Sequence, residues 1–292
     1  MSDNASAQHA NAQPVTDAKS YGDSFSERNW DVPAFDIDHL RDKQSRYSLV
    51  IPVINEGERI RRQLQATYDL GLTDLVDTII ADGGSTDGSL DREFLKSVNV
   101  RTVITKTGPG KLSAQLRCAY SVSLIDGYDG IITIDGNGKD SVESISNFAE
   151  ALDNGVDYAQ ASRFVPGGKS ENTPLSRLLA IRLLHAPLLS LAARRWFSDT
   201  TQGFRAYSAR YLLDDRVQPF RPVFLKYELL AYLTVRASQL GLKTSEVPTA
   251  RLYPANEKIP TKISSAGAHM DLVGVLFSTL KGDYHPGNDP RH

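Results

Sequence analysis

A doubly wound, mostly parallel α/β sheet flanked by helices is the fold class that this sequence predicts. Short apolar runs alternate with segments of helical period about ten to fifteen residues long, the pattern of βαβ units. Three of those runs close on polar turns: Asn55 after the first, Asp82 after the second and Asp135 after the fourth. Ligands on such sheets sit at the carboxyl ends of the strands, so the three side chains are expected to share one site. A length of 292 residues suits one sizeable α/β domain or two small ones.

Residues 1–45 are rich in Ser, Asn, Asp, Gln and Ala, with Trp30 and Phe35 the first strong apolar anchors. They are expected to form a disordered or partly docked arm, with order starting at a strand over 47–53. A helix follows at 56–70, where Ile60 and Leu64 recur at helical spacing, then a strand at 76–81. The turn 82–88 offers Ser85, Thr86 and Asp87 as N-caps for a short helix. Next come a strand at 100–105, a helix at 111–125, a strand at 130–135, a helix at 141–152 and a strand at 157–163. The loop 164–173, with Pro166-Gly167-Gly168, suits a mobile cover over the site. Residues 175–197 are leucine-rich and acid-free, apolar on all sides, and expected to break or kink at Pro187. A helix at 226–240, a strand at 243–247 and a last helix at 264–280 complete the chain. The division that follows is an arm at 1–45, a catalytic-sized domain at 46–265, and a C-terminal helix and tail at 266–292.

Composition narrows the function classes. Hydrophobic residues make up 40% and charged residues 23%, ordinary for a globular protein. A net charge of −2 without a basic block gives no reason to expect a nucleic-acid partner. Cys118 is the single cysteine, which excludes an internal disulfide or a cysteine-based zinc site. The polar start lacks the order of a secretory signal, and no apolar run is expected to span a bilayer. The expected location is cytoplasmic.

The run Ile134-Asp135-Gly136-Asn137-Gly138-Lys139-Asp140 carries the most chemistry. It places a carboxylate and a carboxamide on a tight turn after a buried strand, with glycines that let a ligand approach the backbone. Hard oxygen donors there, Asp135 and Asn137, suit Mg²⁺ or Mn²⁺ bridging to a diphosphate. The histidines form no His-x-x-x-His or Ser-His-Asp arrangement.

Read in order, the motifs resemble those of the family-2 glycosyltransferases of GT-A fold, in the polyprenyl-phosphate (dolichol-phosphate) mannosyl- and glucosyltransferase branch. YSLVIPVINEGERI is similar to that family's first strand and Pro-x-x-Asn-Glu turn, and ADGGSTDGS to its Asp-Asp-Gly-Ser-x-Asp-Gly turn, with Ala81 for the first aspartate or a one-residue shift. TIDGNGKDS stands where the Asp-x-Asp segment belongs. SRFVPGG resembles its Ser-Arg-x-x-x-Gly-Gly run, and DTTQGFRAYSARYL its Asp-x-x-Ser-Gly-Phe-Arg segment with Gln202 for serine. VPTARLYPANEKIPTKIS resembles its closing Val-Pro segment with a basic pair. The resemblance spans about residues 47–262.

It implies an inverting transferase that moves a sugar from a UDP- or GDP-linked donor to a polyprenyl phosphate or related lipid-linked acceptor, peripheral at the cytoplasmic membrane face. The nucleotide falls to Pro52, Asn55, Glu56, Asp82 and Gly136, and the phosphates to Arg163, Arg251 and Lys262. Asp135 holds the metal that stabilises the leaving diphosphate, with Asn137 a weaker ligand. Should the acceptor be a hydroxyl, Asp199 or Glu228 is the candidate base; a lipid phosphate needs none. Arg177, Arg182, Arg194 and Arg195 in the leucine-rich segment suit lipid phosphates. Two other readings keep the fold: a soluble or polysaccharide acceptor, or a nucleotide-binding module without transferase activity. Lys139 departs most from the pattern. Either it turns outward while Asp140 helps to hold the metal, the arrangement the resemblance favours, or its ammonium faces the diphosphate.

Overall fold

The computed structural model describes residues 18–253 and 266–288. Its main sheet has eight strands in the order β1-β4-β3-β2-β5-β8-β6-β9. These are β1 (Phe35–His39), β2 (Tyr47–Val53), β3 (Val76–Asp82), β4 (Val100–Lys106), β5 (Gly130–Thr133), β6 (Tyr158–Ser162), β8 (Arg205–Ser208) and β9 (Thr244–Pro248). A separate parallel pair joins β7 (Lys169–Glu171) to β10 (Ala250–Leu252). The helices are α1 (Ala18–Glu27), α2 (Glu58–Asp69), α3 (Arg92–Ser97), α4 (Leu112–Ile125), α5 (Ile145–Asp153), α6 (Leu175–Ala180), α7 (Ala186–Ala193), α8 (Ala209–Leu212), α9 (Glu228–Gln239) and α10 (Ala266–Lys281). Among the described strands only β1 and β8 run against their neighbours, so the sheet is mostly parallel, as expected.

Alternate residues of the central strands feed two cores. Val50, Ile79 and Ile131 face one layer with Leu116, Leu189 and Leu229, from α4, α7 and α9. Leu49, Ile80 and Ile132 face the other with Leu64 and Phe148, from α2 and α5. Burial on both faces is why these strands read as continuous apolar runs. Pro52 sits in the central strand without cost because its missing N–H would face the β5 side, where the ladder has ended beyond the Val50↔Thr133 pair.

Three expectations are corrected. Order does not start at Tyr47: α1 and β1 precede it, with Tyr21 and Phe25 buried and the Trp30 and Phe220 rings 4.2 Å apart. Sparse aromatic anchors, not a dense apolar run, fix this segment. The segment 164–173, expected as a loop throughout, contains the short strand β7. Of the break or kink expected at Pro187, the break does not occur. Residues Leu175–Ala193 form one helix through a π-turn at Ile181–His185, which absorbs the strain of the proline near the start of α7. By length and composition that helix could cross a membrane, with a mean hydropathy of 1.4, and 28% of it is buried in the protein.

Candidate active site

The carboxyl ends of β3, β2 and β5 lie side by side, so Asp82 and Asp135 are roughly 10 Å apart across two strand spacings. Asp82 ends β3 opposite Val53, and Asp135 lies two residues beyond the Val50↔Thr133 pair. The expected convergence of Asn55, Asp82 and Asp135 on one edge is therefore present.

At the β2–β3 end, side chains brace two turns against each other. Asn55 adopts a left-handed conformation (φ 50°), its Oδ1 accepting from Thr86 N at 2.7 Å while its own N–H donates to Ser85 Oγ. Buried Asp82 accepts from Ser85 N at 2.9 Å and Ser85 Oγ at 2.6 Å. Asp87, which the sequence offers only as a cap, accepts from Gly57 N at 2.8 Å. Glu56 pairs with Arg59 at 3.0 Å. Asn55, Glu56, Arg59, Arg62 and Asp87 line an open cleft of about 370 Å³. Pro52 lies near the end of β2, paired with Ala81 of β3. Gly136 is packing, not display: a Cβ there would come within 3.0 Å of the Pro52 carbonyl oxygen.

At the β5 end the Asp135 turn runs beneath β10. Lys139 O accepts from Leu252 N at 2.8 Å, and Arg251 holds Asp140 through Nη1 at 2.8 and 2.6 Å. Arg251 also lies 3.5 Å from Asp135. Here the arrangement favoured from sequence is reversed. Lys139 is turned in and only 6% exposed, its ammonium 5.2 Å from the Tyr253 ring centroid, and Asp140 is fully buried against Arg251. Burial first, and the Arg251 charge second, lower the Lys139 pKa from its ordinary value. Tyr253 accepts from Arg177 Nη1 at 3.0 Å, and although burial raises it, the Arg251 charge brings its pKa down to about 8. Neither Tyr253 nor its contact with Arg177 was singled out by sequence; the closing Val-Pro segment contained the signal.

The donor set for a divalent cation is thus Asp135, partly exposed, with Asn137 beside it. Among the described residues no group of three or more His, Cys, Asp or Glu side chains could hold a metal. One carboxylate fits Mg²⁺ or Mn²⁺ where substrate phosphates and water complete the shell. Gly203 makes room for that carboxylate, since a Cβ would lie 2.8 Å from Asp135 Cγ.

The two candidate bases are both engaged. Asp199 is inaccessible, accepting from Arg163 Nε at 2.7 Å, Gln202 Nε2 at 2.8 Å, and Thr201 N and Oγ1 at 3.1 and 3.0 Å. Burial raises its pKa, but the Arg163 charge and these bonds outweigh that and hold it below the usual range. Arg163 is consequently a buried ion-pair partner with one orphaned Nη1, rather than an open phosphate clamp. Glu228, at the first position of α9, accepts from Lys226 N at 2.7 Å through one carboxylate oxygen. Lys262 lies outside the described residues.

The sequence model of the family described as Glycosyl transferase family 2 matches residues 48–215. The chain is 28% identical over 243 residues to polyprenol monophosphomannose synthase of Mycolicibacterium smegmatis, covering 81% of this chain and 88% of the relative. It is 30% identical over 212 residues to undecaprenyl-phosphate mannosyltransferase of Micrococcus luteus, covering 70% and 82%. In fold it is similar to glucosyl-3-phosphoglycerate synthase of Mycobacterium tuberculosis, solved with Mn²⁺, UDP and glucosyl-3-phosphoglycerate. The TM-score there is 0.56 at 16% identity, over 80% of each chain.

Proposed function

Because the chain belongs to glycosyl transferase family 2 and is a nucleotide-sugar-dependent glycosyltransferase, we propose that it transfers a hexose, mannose first among candidates, to a polyprenyl phosphate. The observation that carries the acceptor class is the burial of the first candidate base, Asp199. Asp199 is buried in a four-donor cage, so the carboxylate nearest the Gln202-Gly203-Phe204 turn is not open to an acceptor. A hydroxyl acceptor would need a free base, whereas a phosphate monoester arrives as an anion. The names of the two mannosyltransferase relatives support the sugar and the lipid.

The nucleoside half of the donor would lie in the cleft beside Asn55, Glu56, Asp82 and Asp87. Its diphosphate would reach toward Asp135, with Arg251 and Lys139 near and Lys262 a further candidate. Asp135 and Asn137 would hold a divalent metal, Mn²⁺ or Mg²⁺, which when bound offsets the charge on the leaving diphosphate. An acceptor phosphate oxygen attacks the anomeric carbon while the bond to the diphosphate breaks on the opposite face. The nucleoside diphosphate leaves with the electron pair, no proton is moved, and the configuration inverts.

Exposed Leu175, Leu179, Leu183, Leu191 and Trp196 with Arg194 and Arg195, and no acid between 175 and 197, support docking of α6–α7 at an anionic membrane face. The test is transfer from labelled UDP- and GDP-sugars to polyprenyl phosphate, the unphosphorylated polyprenol and 3-phosphoglycerate. Transfer to the first alone is expected. Transfer to the polyprenol would reject the reading, and preference for phosphoglycerate would move the acceptor to the soluble class.

A further inference from the structure

Helix α4 is buried along almost its whole length, from Ser113 to Leu124, and within it Gln115 stands only 6% exposed between Ala114 and Leu116. A buried carboxamide is costly unless its N–H groups find acceptors. Here both do. Nε2 donates to Val53 O at 2.9 Å and to Ala81 O, the first at the last residue of β2 and the second one residue before the end of β3. Two carbonyl acceptors admit only the NH₂ end of the amide, so its orientation is fixed. The other end faces Gly83. A Cβ on that glycine would lie 3.4 Å from Gln115 Oε1 and 3.3 Å from Ile54 Cβ, and Gly83 N donates to Val53 O at 2.8 Å. The two strand ends are thus tied together from the α4 side, as Asn55, Ser85 and Asp87 tie the turns beyond them. Asp82 follows Ala81 directly and Asn55 is two residues past Val53, so a shift of either carbonyl moves one of these side chains.

We propose that Gln115 is a positioning residue for the nucleoside site, acting through Val53 O and Ala81 O to fix Asn55 and Asp82. This rests on the placement of the nucleoside beside those two residues and deepens it by naming a determinant of donor affinity in the buried core. The effect belongs to binding rather than to bond breaking. The nucleoside half is held alike in the ground state and the transition state, so a misaligned site raises the donor KM and leaves kcat in place. A role confined to folding has the opposite signature: fewer active molecules lower the apparent kcat and leave KM unchanged.

Gln115→Met keeps the reach and nearly the volume of the side chain and removes both donors. Calorimetry on the full chain uses UMP or GMP, whichever the wild type binds, and a roughly tenfold weaker Kd is expected, the size of about one hydrogen bond. The donor KM should rise by a similar factor while kcat and the acceptor KM stay as in the wild type. Gly83→Ala presses on the same amide from the other side, should raise the same KM, and carries the test if Gln115→Met does not fold. Asn55→Ala is the reference for the site itself. If it weakens the monophosphate while folded Gln115→Met, or Gly83→Ala in its stead, binds as the wild type does, the positioning role is overturned and the nucleoside site stands. A fall in kcat with unchanged KM overturns the role equally. If Asn55→Ala has no effect either, the nucleoside lies elsewhere and both readings fall.

Discussion

Arg251 grips the buried carboxylate of Asp140 from β10, 2.8 and 2.6 Å from its two oxygens, and by doing so removes Asp140 from the set of possible metal ligands. The pair also staples β10 over the Asp135 turn, where Leu252 N donates to Lys139 O. Both partners are almost inaccessible, with side-chain exposures of 7% and 0%.

Removing one partner should therefore cost more than removing both. Arg251→Met leaves a buried carboxylate without its cation, and a loss of about 3–5 kcal/mol in unfolding free energy is expected. The double variant Arg251→Met/Asp140→Leu should recover much of that loss. Equal stability of single and double variants in urea unfolding would show the pair to be uncoupled.

Much of this architecture was legible because buried parallel strands and amphipathic helices each leave a periodic signature. The run from Tyr47 to Val53 is such a strand, and the placement of Asn55, Asp82 and Asp135 at strand ends followed from order alone. What escaped the sequence were the pairings. β8 is four residues long and sits between β5 and β6 only because of tertiary pairing, so no local pattern announces it. Asp199 and Arg163 are separated by 36 positions and read as independent functional charges, yet they meet in a buried ion pair. Lys139 looked solvent-bound because a lysine in a glycine turn usually is, while its burial depends on β10, more than a hundred residues away in sequence.

Asp199 is expected to act through position. Asp199→Asn should lower stability by stripping the Arg163 charge partner, while the pH–rate profile keeps its limbs. Its carboxyl already lies below the usual range, too weak a base to take a proton near neutral pH. Loss of the acid limb in the asparagine variant would restore Asp199 as the general base.

His185 supplies an acid sensitivity. It sits in the π-turn with Nδ1 2.7 Å from Thr200 Oγ1, and burial, then the Arg205 charge, lowers its pKa to about 4. In the unfolded chain it titrates near its ordinary value of about 6.5. Between these values the unfolded state holds the extra proton, so stability falls as pH drops from about 6.5 to about 4, with no further loss from this group below. Thermal unfolding across that window should show a flatter dependence in His185→Gln than in the wild type. Identical slopes would remove the histidine from the account.

Gly203 gives the sharpest separation of site from fold. It follows Gln202 at the entry to β8, and a Cβ there would lie 2.8 Å from Asp135 Cγ and closer still to one carboxylate oxygen. The smallest possible change, Gly203→Ala, therefore has to be met by a shift of Asp135, whose side chain is too short to move its carboxylate without leaving its place at the turn. The backbone of Gly203 has no positive φ to lose, so strain is not the issue. Misplacement by about an ångström is enough to cost roughly a hundredfold in rate. The expected result is a fall in kcat of that order with the melting temperature within a few degrees of wild type. Binding of the nucleoside monophosphate should be unchanged, because the cleft at Asn55 and Asp87 is untouched. A fully active alanine variant would mean that the Asp135 carboxylate does not need the position it holds, and would remove it from the centre of the chemistry.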